Sequence, residues 1–88
     1  MRVIVTDSFY NDLARIRQKE AIDEALFYID LCEKVNFVLQ IPGFKFLRQY
    51  PSKGRIEIAP FRIGVEVIGD TIIFKRILPR DEIYKQFP

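Results

Sequence analysis

The segment FRIGVEVIGDTIIFKRILP, residues 61–79, contains the pattern that decides the fold. Residues 61–68 alternate between apolar and polar side chains, which predicts a β-strand with one buried face. The dipeptide Gly69-Asp70 suits a two-residue type II′ turn, because that turn favours glycine at its first position. The apolar run at 71–78 predicts a second, central strand, and Pro79 ends it because proline has no N–H to donate to a neighbouring strand. The segment is therefore predicted to form an antiparallel hairpin.

The preceding part of the chain predicts the other elements. Residues 1–5 favour a short strand. Thr6, Asp7 and Ser8 are all good N-cap residues, and the apolar spacing after them predicts an amphipathic helix. A second apolar stripe predicts a second helix, which the Pro42-Gly43 dipeptide would stop at the latest. The residues of this stripe are Ile22, Ala25, Leu26, Ile29 and Cys32. Residues 55–58 alternate again, so they are predicted to be the first strand of a three-stranded meander that continues into the hairpin.

The predicted order is β-α-α-β-β-β, which defines an α+β fold in a single domain spanning residues 1–88. Amphipathic helices need a sheet face to pack against, so we expect two N-terminal helices on one face of a small, mostly antiparallel sheet. A short helix or turn is expected at residues 81–87. The second face of the sheet has no obvious cover, so one set of polar side chains is expected to converge there: Arg55, Arg62, Arg80 and Tyr84.

Composition excludes several classes of protein. The single cysteine, Cys32, rules out an internal disulfide and fits a reducing cytoplasm. No signal peptide is recognisable, and no apolar run approaches the roughly 20 residues that cross a bilayer, so no membrane partner is expected. The chain has no histidine and no paired carboxylates with ligand spacing, so neither a metal site nor a cofactor is expected.

Positive charge is concentrated in the C-terminal half. Residues 43–88 contain nine Lys/Arg and five Asp/Glu, whereas residues 1–42 contain five Lys/Arg and seven Asp/Glu. Within residues 45–55 there are four basic residues and no acid. Such a basic half can attract phosphate or an acidic protein, although the same charges could serve solubility alone.

Several short motifs occur in a recognisable order and spacing. The first predicted helix begins with Thr-x-x-Phe-x-x-Asp-Leu at residues 6–13, and the later strands contain RIEI at 55–58 and FRIGVEV at 61–67. Residues 80–88 then have the pattern Arg-x-x-x-Tyr-x-x-Phe-Pro. In this order and spacing the chain resembles the RelE/ParE superfamily of bacterial and archaeal toxins from type II toxin–antitoxin systems, and its C-terminal pattern resembles the RelE-like branch.

The resemblance implies a ribosome-dependent endoribonuclease that cuts mRNA in the decoding site, needs no metal, and is silenced by a cognate antitoxin protein. It implies catalytic roles for Arg62, Arg80 and Tyr84 and an RNA-binding role for Arg55. The loop residues Lys53 and Lys45 are expected, from their charge, to add general attraction for RNA. In such chemistry the RNA 2′-hydroxyl attacks the neighbouring phosphorus while arginine forks bind the phosphate oxygens. Tyr84 would accept a proton if flanking cations lowered its pKa, or it would stack on a nucleobase.

Two departures from the RelE-like pattern leave other functions open. Glu57 stands where the family commonly has a second basic residue, and Pro79 stands where it has histidine or lysine before Arg80. Glu57 could accept a proton itself, or it could pair with Arg55 or Arg62 and reduce their positive field. The alternatives are a ParE-like inhibitor that acts by binding DNA gyrase, and a catalytically weakened binding protein with the toxin fold.

Every one of these functions implies an antitoxin partner. Small toxins commonly leave apolar grooves that a partner helix fills. Three aromatic residues at or beyond the edge of the second helical stripe are candidate contacts, with burial in the core as the alternative: Phe27, Tyr28 and Phe37.

Overall fold

Five strands and three helices form in the computed structural model, which describes residues 1–88. In chain order they are β1 (Arg2–Val5), α1 (Asp7–Ala14), α2 (Lys19–Lys34), β2 (Phe44–Leu47), β3 (Tyr50–Ile58), β4 (Phe61–Ile68), β5 (Thr71–Pro79) and α3 (Arg80–Gln86), with a 3-10 turn at Val38–Gln40. The strands form one sheet in the order β1-β5-β4-β3-β2, in which β1 is parallel to β5 and all other neighbours are antiparallel. The predicted α+β class is therefore confirmed. None of the helices combines the length and apolar character that crossing a bilayer requires.

The β4–β5 hairpin forms as the sequence predicts. Gly69 has φ +59°, and no residue other than glycine has a positive φ, which is the combination that a type II′ turn at Gly69-Asp70 requires. A bulge between Gly64 and Val65 interrupts the β4–β5 register. The bulge separates the half of the hairpin next to β1 from the half that carries α3.

Thr6 turns the chain out of β1 and into α1. Its side-chain oxygen accepts a hydrogen bond from the Phe9 N–H at 3.2 Å, so Thr6 is the N-cap among the three candidates. The same hydroxyl lies 3.0 Å from the carbonyl oxygen of Phe74 in β5. One side chain therefore starts the helix and also fixes that helix to the sheet.

The main hydrophobic core lies between α1 and α2 and one face of the sheet. Side chains with no measurable exposure come from both helices and from β3, β4 and β5: Phe9, Ala25, Cys32, Ile56, Ile63, Val65, Ile72 and Phe74. Burial of the Cys32 thiol raises its pKa to about 11, so this cysteine is a core residue without a reactive thiolate.

The buried face of α2 is rotated relative to the predicted stripe. Leu26 is 46% exposed, whereas Tyr28 is buried and its hydroxyl donates a hydrogen bond to the Pro42 carbonyl at 3.0 Å. The proposed role of Tyr28 in contacting an antitoxin is therefore corrected: this ring packs in the core and positions the loop before β2. Phe27 and Phe37 do lie on the surface.

Strand β2 is an addition to the predicted order, and β3 begins five residues before the predicted strand. The two lysines expected in a loop, Lys45 and Lys53, consequently lie in β2 and β3. The β2–β3 pairing depends on Gly54, because a Cβ at this position would lie 2.5 Å from the Phe44 ring. Residues 44–54 therefore extend the sheet instead of forming a loop.

A second, smaller hydrophobic cluster lies on the opposite face of the sheet. Leu78 of β5 packs there with Ile83 of α3 and with Phe87, which follows α3. The Phe87 ring lies directly over the backbone of Gly64, where a Cβ would come within 2.6 Å of it. Helix α3 therefore covers part of the sheet face that the sequence left without a cover.

Asp12 joins α1 to the part of β5 that extends beyond β1. Its carboxylate is 4% exposed and accepts two hydrogen bonds from the Arg76 guanidinium, at 2.6 and 2.9 Å. It also accepts the Ile77 backbone N–H at 3.1 Å, a donor that has no strand beside it. This ion pair raises the pKa of Arg76 above its usual value, chiefly through the hydrogen bond to Asp12.

We predict that Asp12→Ala lowers the free energy of unfolding by about 3 kcal/mol or more, because it leaves the Arg76 charge and the Ile77 N–H without their partner. Urea denaturation followed by circular dichroism measures this change. Asp23→Ala, at an exposed position of α2, is the control and should change stability by no more than about 0.5 kcal/mol. Equal effects of the two substitutions would contradict this account of Asp12.

Candidate nucleic-acid interface

The sheet face opposite α1 and α2, called the open face here, carries most of the predicted site residues. The strand register places side chains in rows across it, and the longest row runs through Lys45, Arg55, Gly64 and Arg76 on four successive strands. A second row pairs Glu57 with Arg62, and a third pairs Lys53 with Glu66. Basic residues from four consecutive strands, β2 to β5, thus lie on one side of the molecule.

Tyr84 of α3 lies over the open face and contacts two of these arginines. The Tyr84 hydroxyl accepts a hydrogen bond from Arg55 Nη1 at 2.6 Å and another from Arg62 Nη1. The Arg62 guanidinium carbon is also 5.4 Å from the centre of the Tyr84 ring, within the range of a cation–π interaction. We call Arg55, Arg62 and Tyr84 the Arg–Tyr cluster.

Arg62 forms the floor of this cluster. Only 5% of the residue is exposed, and its Nη2 donates to Glu57 Oε1 at 3.2 Å. Its Nε is buried and has no hydrogen-bond partner. Arg62 therefore lies beneath Tyr84 and Glu57, and the polar groups that face solvent belong to Arg55 and Tyr84 of the cluster and to the neighbouring Glu57.

The two guanidinium groups change the acidity of Tyr84. Partial desolvation of the phenol would raise its pKa, but the charges of Arg55 and Arg62 and the hydrogen bonds that they donate outweigh it, so the pKa of Tyr84 is lowered. Both arginines stabilise the phenolate, because a negative oxygen accepts their hydrogen bonds better than a neutral one. A tyrosine that ionises more readily than usual is able to accept a proton.

The remaining predicted residues lie near the cluster without joining it. Arg80 begins α3 one helical turn before Tyr84, is exposed, and makes no side-chain hydrogen bond or ion pair. Lys45 is exposed directly opposite Arg55 in the ladder. Lys53 is 4.0 Å from the Glu66 carboxylate and 5.7 Å from the centre of the Phe87 ring. The structure thus brings together Arg55, Arg62 and Tyr84, and it leaves Arg80 and Lys45 as free charges nearby.

The sequence prediction missed two residues beside the cluster. A cavity of about 350 Å³ lies between the β2–β3 turn and α3, and Arg48 and Tyr50 contribute to its wall together with Arg55 and Tyr84. Arg48 falls in the acid-free basic segment at 45–55, which was a usable signal. Tyr50 had no signal of its own, because it stands in the unpredicted first part of β3. No group of three His, Cys, Asp or Glu side chains is placed to hold a metal ion.

Comparisons with known proteins agree with this fold. No protein-family model matches the chain. The chain is 35% identical over 95 residues to Toxin RelE3 of Methanocaldococcus jannaschii, and the match covers all of both proteins. The toxin–antitoxin complex RelB-RelE from Methanococcus jannaschii contains a chain with a TM-score of 0.82 and 32% identity, covering 97% of this protein and 99% of that chain.

A more distant structure has the same fold. In the RelBE2 toxin–antitoxin complex of Mycobacterium tuberculosis, one chain has a TM-score of 0.67 at 15% identity, over 90% of this protein and 96% of that chain. The full-length identity to Toxin RelE3 goes beyond a shared fold. The chain belongs to the RelE family of toxins.

We predict that ultraviolet absorbance at increasing pH shows one tyrosine ionising below the ordinary value of about 10. Tyr84→Phe should remove that step, and Arg55→Gln should move it to higher pH by removing one stabilising charge. Tyr28 should ionise last, because burial, followed by the charges of Glu24 and Cys32, raises its pKa. Tyr10→Phe, at an exposed position of α1, serves as the control. An unchanged first step in Tyr84→Phe would show that the cluster does not lower the pKa of Tyr84.

Proposed function

We propose that the protein is the toxin of a RelBE-type toxin–antitoxin system and that it inhibits translation in the cytoplasm by cutting mRNA on the ribosome. The observation that carries the proposal is the contact of two guanidinium groups with the Tyr84 hydroxyl on the open face of the sheet. This arrangement combines a proton acceptor with positive charge, and RNA cleavage needs both at the same phosphate.

In the proposed reaction the Tyr84 phenolate takes the proton of the RNA 2′-hydroxyl. The 2′-oxygen forms a bond to phosphorus as the bond from phosphorus to the 5′-oxygen breaks, which leaves a 2′,3′-cyclic phosphate and a 5′-hydroxyl end. Water donates the proton that the departing 5′-oxygen acquires. Arg55 and Arg80, which have free donors near Tyr84, bind the phosphate oxygens, and arginine suits this because its planar fork binds two oxygens.

Arg62 has a different role in this mechanism. Because it is 5% exposed and already bonded to Tyr84 and Glu57, it acts as a positioning residue that fixes the tyrosine and lowers its pKa. Lys45 and Lys53 supply general attraction for the RNA backbone, which weakens as salt concentration rises.

Cleavage should depend on pH through Tyr84. The phenolate is the active form, so the cleavage rate should rise with pH until Tyr84 is ionised, and the lowered pKa of Tyr84 places this rise below the usual range of a tyrosine. We predict that Tyr84→Phe lowers the rate about 10²–10⁴-fold and loses this dependence, whereas Arg55→Ala lowers it about 10²–10³-fold. Mapping mRNA ends in a purified translation system measures these rates, with Arg17→Ala, exposed between α1 and α2, as the control.

A Glu57→Gln variant distinguishes the two possible proton acceptors. Loss of the pH dependence in Glu57→Gln, with a normal profile in Tyr84→Phe, would assign proton transfer to Glu57 and contradict the role given to Tyr84. Intact mRNA with the wild-type protein would contradict the nuclease proposal itself.

Inhibition of DNA gyrase by binding is the second candidate function. Two observations favour it: Glu57 neutralises part of the Arg62 charge at 3.2 Å, and Pro79 supplies no proton donor beside Arg80. Pulse-labelling after induction separates the candidates, because a ribosome-directed nuclease stops protein synthesis first and a gyrase inhibitor stops DNA synthesis first.

An antitoxin is the proposed protein partner in either case. The chains that this protein resembles were solved in toxin–antitoxin complexes. Large apolar side chains remain on the surface around α2 and the loop after it, where Phe27 is 60%, Phe37 68% and Leu39 76% exposed. We predict that Phe27→Asp combined with Phe37→Asp weakens the complex with the product of the adjacent reading frame in calorimetry. Tyr10→Asp is the control, and unchanged affinity would place the partner elsewhere.

A further inference from the structure

We propose that the cavity between the β2–β3 turn and α3 binds one nucleobase of the RNA, with Tyr50 as the stacking residue and Arg48 as a charge for the adjoining backbone. The inference rests on the proposed function for the identity of the ligand. It goes further by assigning a position in the structure that selects the nucleotide beside the cut bond.

The size and lining of the cavity fit one planar, polar ligand. Its volume is about 350 Å³, which lies in the range of small-molecule sites. The apolar residues of its wall come from β2 and from α3 and the residues after it: Leu47, Ile83, Phe87 and Pro88. The polar residues come from the β2–β3 turn, the start of β3 and the Arg–Tyr cluster: Arg48, Gln49, Tyr50, Arg55 and Tyr84.

Two aromatic side chains in the wall have accessible surfaces. Tyr50 is 45% exposed and Tyr84 is 60% exposed, although both border the same cavity. Tyr50 makes no side-chain hydrogen bond and no stacking contact with another aromatic ring, so its exposed surface is available to a ligand. Stacking of a base on an aromatic side chain is worth about 1–3 kcal/mol, which makes exposed tyrosines effective in single-stranded sites.

The charge of the cavity wall favours a nucleotide over a purely apolar ligand. The cavity wall contains two arginines and no acidic residue. Arg48 has no ion-pair partner, and the Gln49 amide makes no hydrogen bond, so its donors and acceptor remain available for the edge of a base. An apolar peptide would leave these groups unpaired, whereas a nucleobase with its phosphates satisfies them.

The cavity and the Arg–Tyr cluster share residues. Arg55 and Tyr84 line the cavity and also form the hydrogen bond of 2.6 Å at the proposed reaction centre. A base held against Tyr50 therefore has its own phosphate within the reach of these two side chains. The identity of that base would influence where the mRNA is cut.

Binding of mononucleotides to the wild-type protein tests the inference without requiring cleavage. Adenosine 5′-monophosphate and uridine 5′-monophosphate should shift the amide NMR signals of residues 47–50 and 83–87, and ribose 5-phosphate should bind much more weakly because it has no base. Tyr50→Ala should weaken nucleotide binding about 5- to 150-fold, the loss of one stacking contact. Tyr50→Phe should retain it, and Tyr10→Ala, which removes another exposed tyrosine, should change nothing.

The outcomes separate this inference from the proposed function. Equal binding of ribose 5-phosphate and the nucleotides, unchanged binding in a folded Tyr50→Ala, or no shift at millimolar nucleotide would overturn the nucleobase subsite even if mRNA is cut. Shifts of the same amides by an antitoxin peptide alone would assign the cavity to the protein partner and overturn it too. Nucleotide binding that depends on Tyr50, in a protein that cuts no mRNA, would support the subsite and contradict the nuclease proposal.

Discussion

The contact between the Phe87 ring and the backbone of Gly64 determines what the open face of the sheet can do. A short helix of seven residues has little stability alone, so α3 remains on the sheet because Ile83 and Phe87 bury apolar surface there. Only a residue without a Cβ leaves the space that the ring occupies. Because the ring is anchored at this point, the preceding turn of α3 carries Tyr84 over Arg55 and Arg62.

The Arg–Tyr cluster lowers the stability of the fold, because it buries the charge of Arg62. A buried guanidinium loses its hydration, and Arg62 recovers only part of this through the Glu57 carboxylate, the Tyr84 hydroxyl and the Tyr84 ring. The Nε atom of Arg62 has no hydrogen-bond partner to replace the water that it loses. Residues at functional sites often accept such costs because the charge serves chemistry, and here it lowers the pKa of Tyr84. Asp12 illustrates the opposite case, since all of its partners serve to fix α1 against β5.

Much of the fold could be predicted because local chemistry and global packing agree in it. Thr6 is both a good N-cap and the residue that joins α1 to β5, and Gly69 stands where the hairpin turn needs a positive φ. Strand β2 could not be predicted in the same way. Its four residues follow a Pro-Gly stop, and its partner segment contains Pro51 and Gly54, which normally argue against a strand. The pairing of β2 with β3 becomes favourable only when the Phe44 ring lies over Gly54. The spacing of apolar residues along the sequence does not show such a contact.

The candidate site was partly predictable for a related reason. The alternation of apolar and polar residues along a strand assigns each side chain to one face of the sheet. Arg55 and Arg62 were therefore expected on the same face, and the strand register places them there. Alternation does not show how deeply a side chain is covered. The burial of Arg62, and the position of Arg80 outside the Arg–Tyr cluster, depend on the exact position of α3, which tertiary packing decides. The same packing creates the cavity beside Tyr50, which no local sequence pattern predicts.

The parallel pairing of β1 with β5 has a consequence for how the chain acquires its structure. Arg2–Val5 find their only strand partner in Thr71–Phe74, and two helices and three strands lie between these segments in the chain. Closing so long a loop costs entropy before any contact repays it, and folds rich in such distant contacts assemble slowly. During synthesis β1 therefore remains without a strand partner until β5 has left the ribosome. The complete sheet can form only after β5 has been made, and the arrangement of Arg55, Arg62 and Tyr84 only after α3 has followed it.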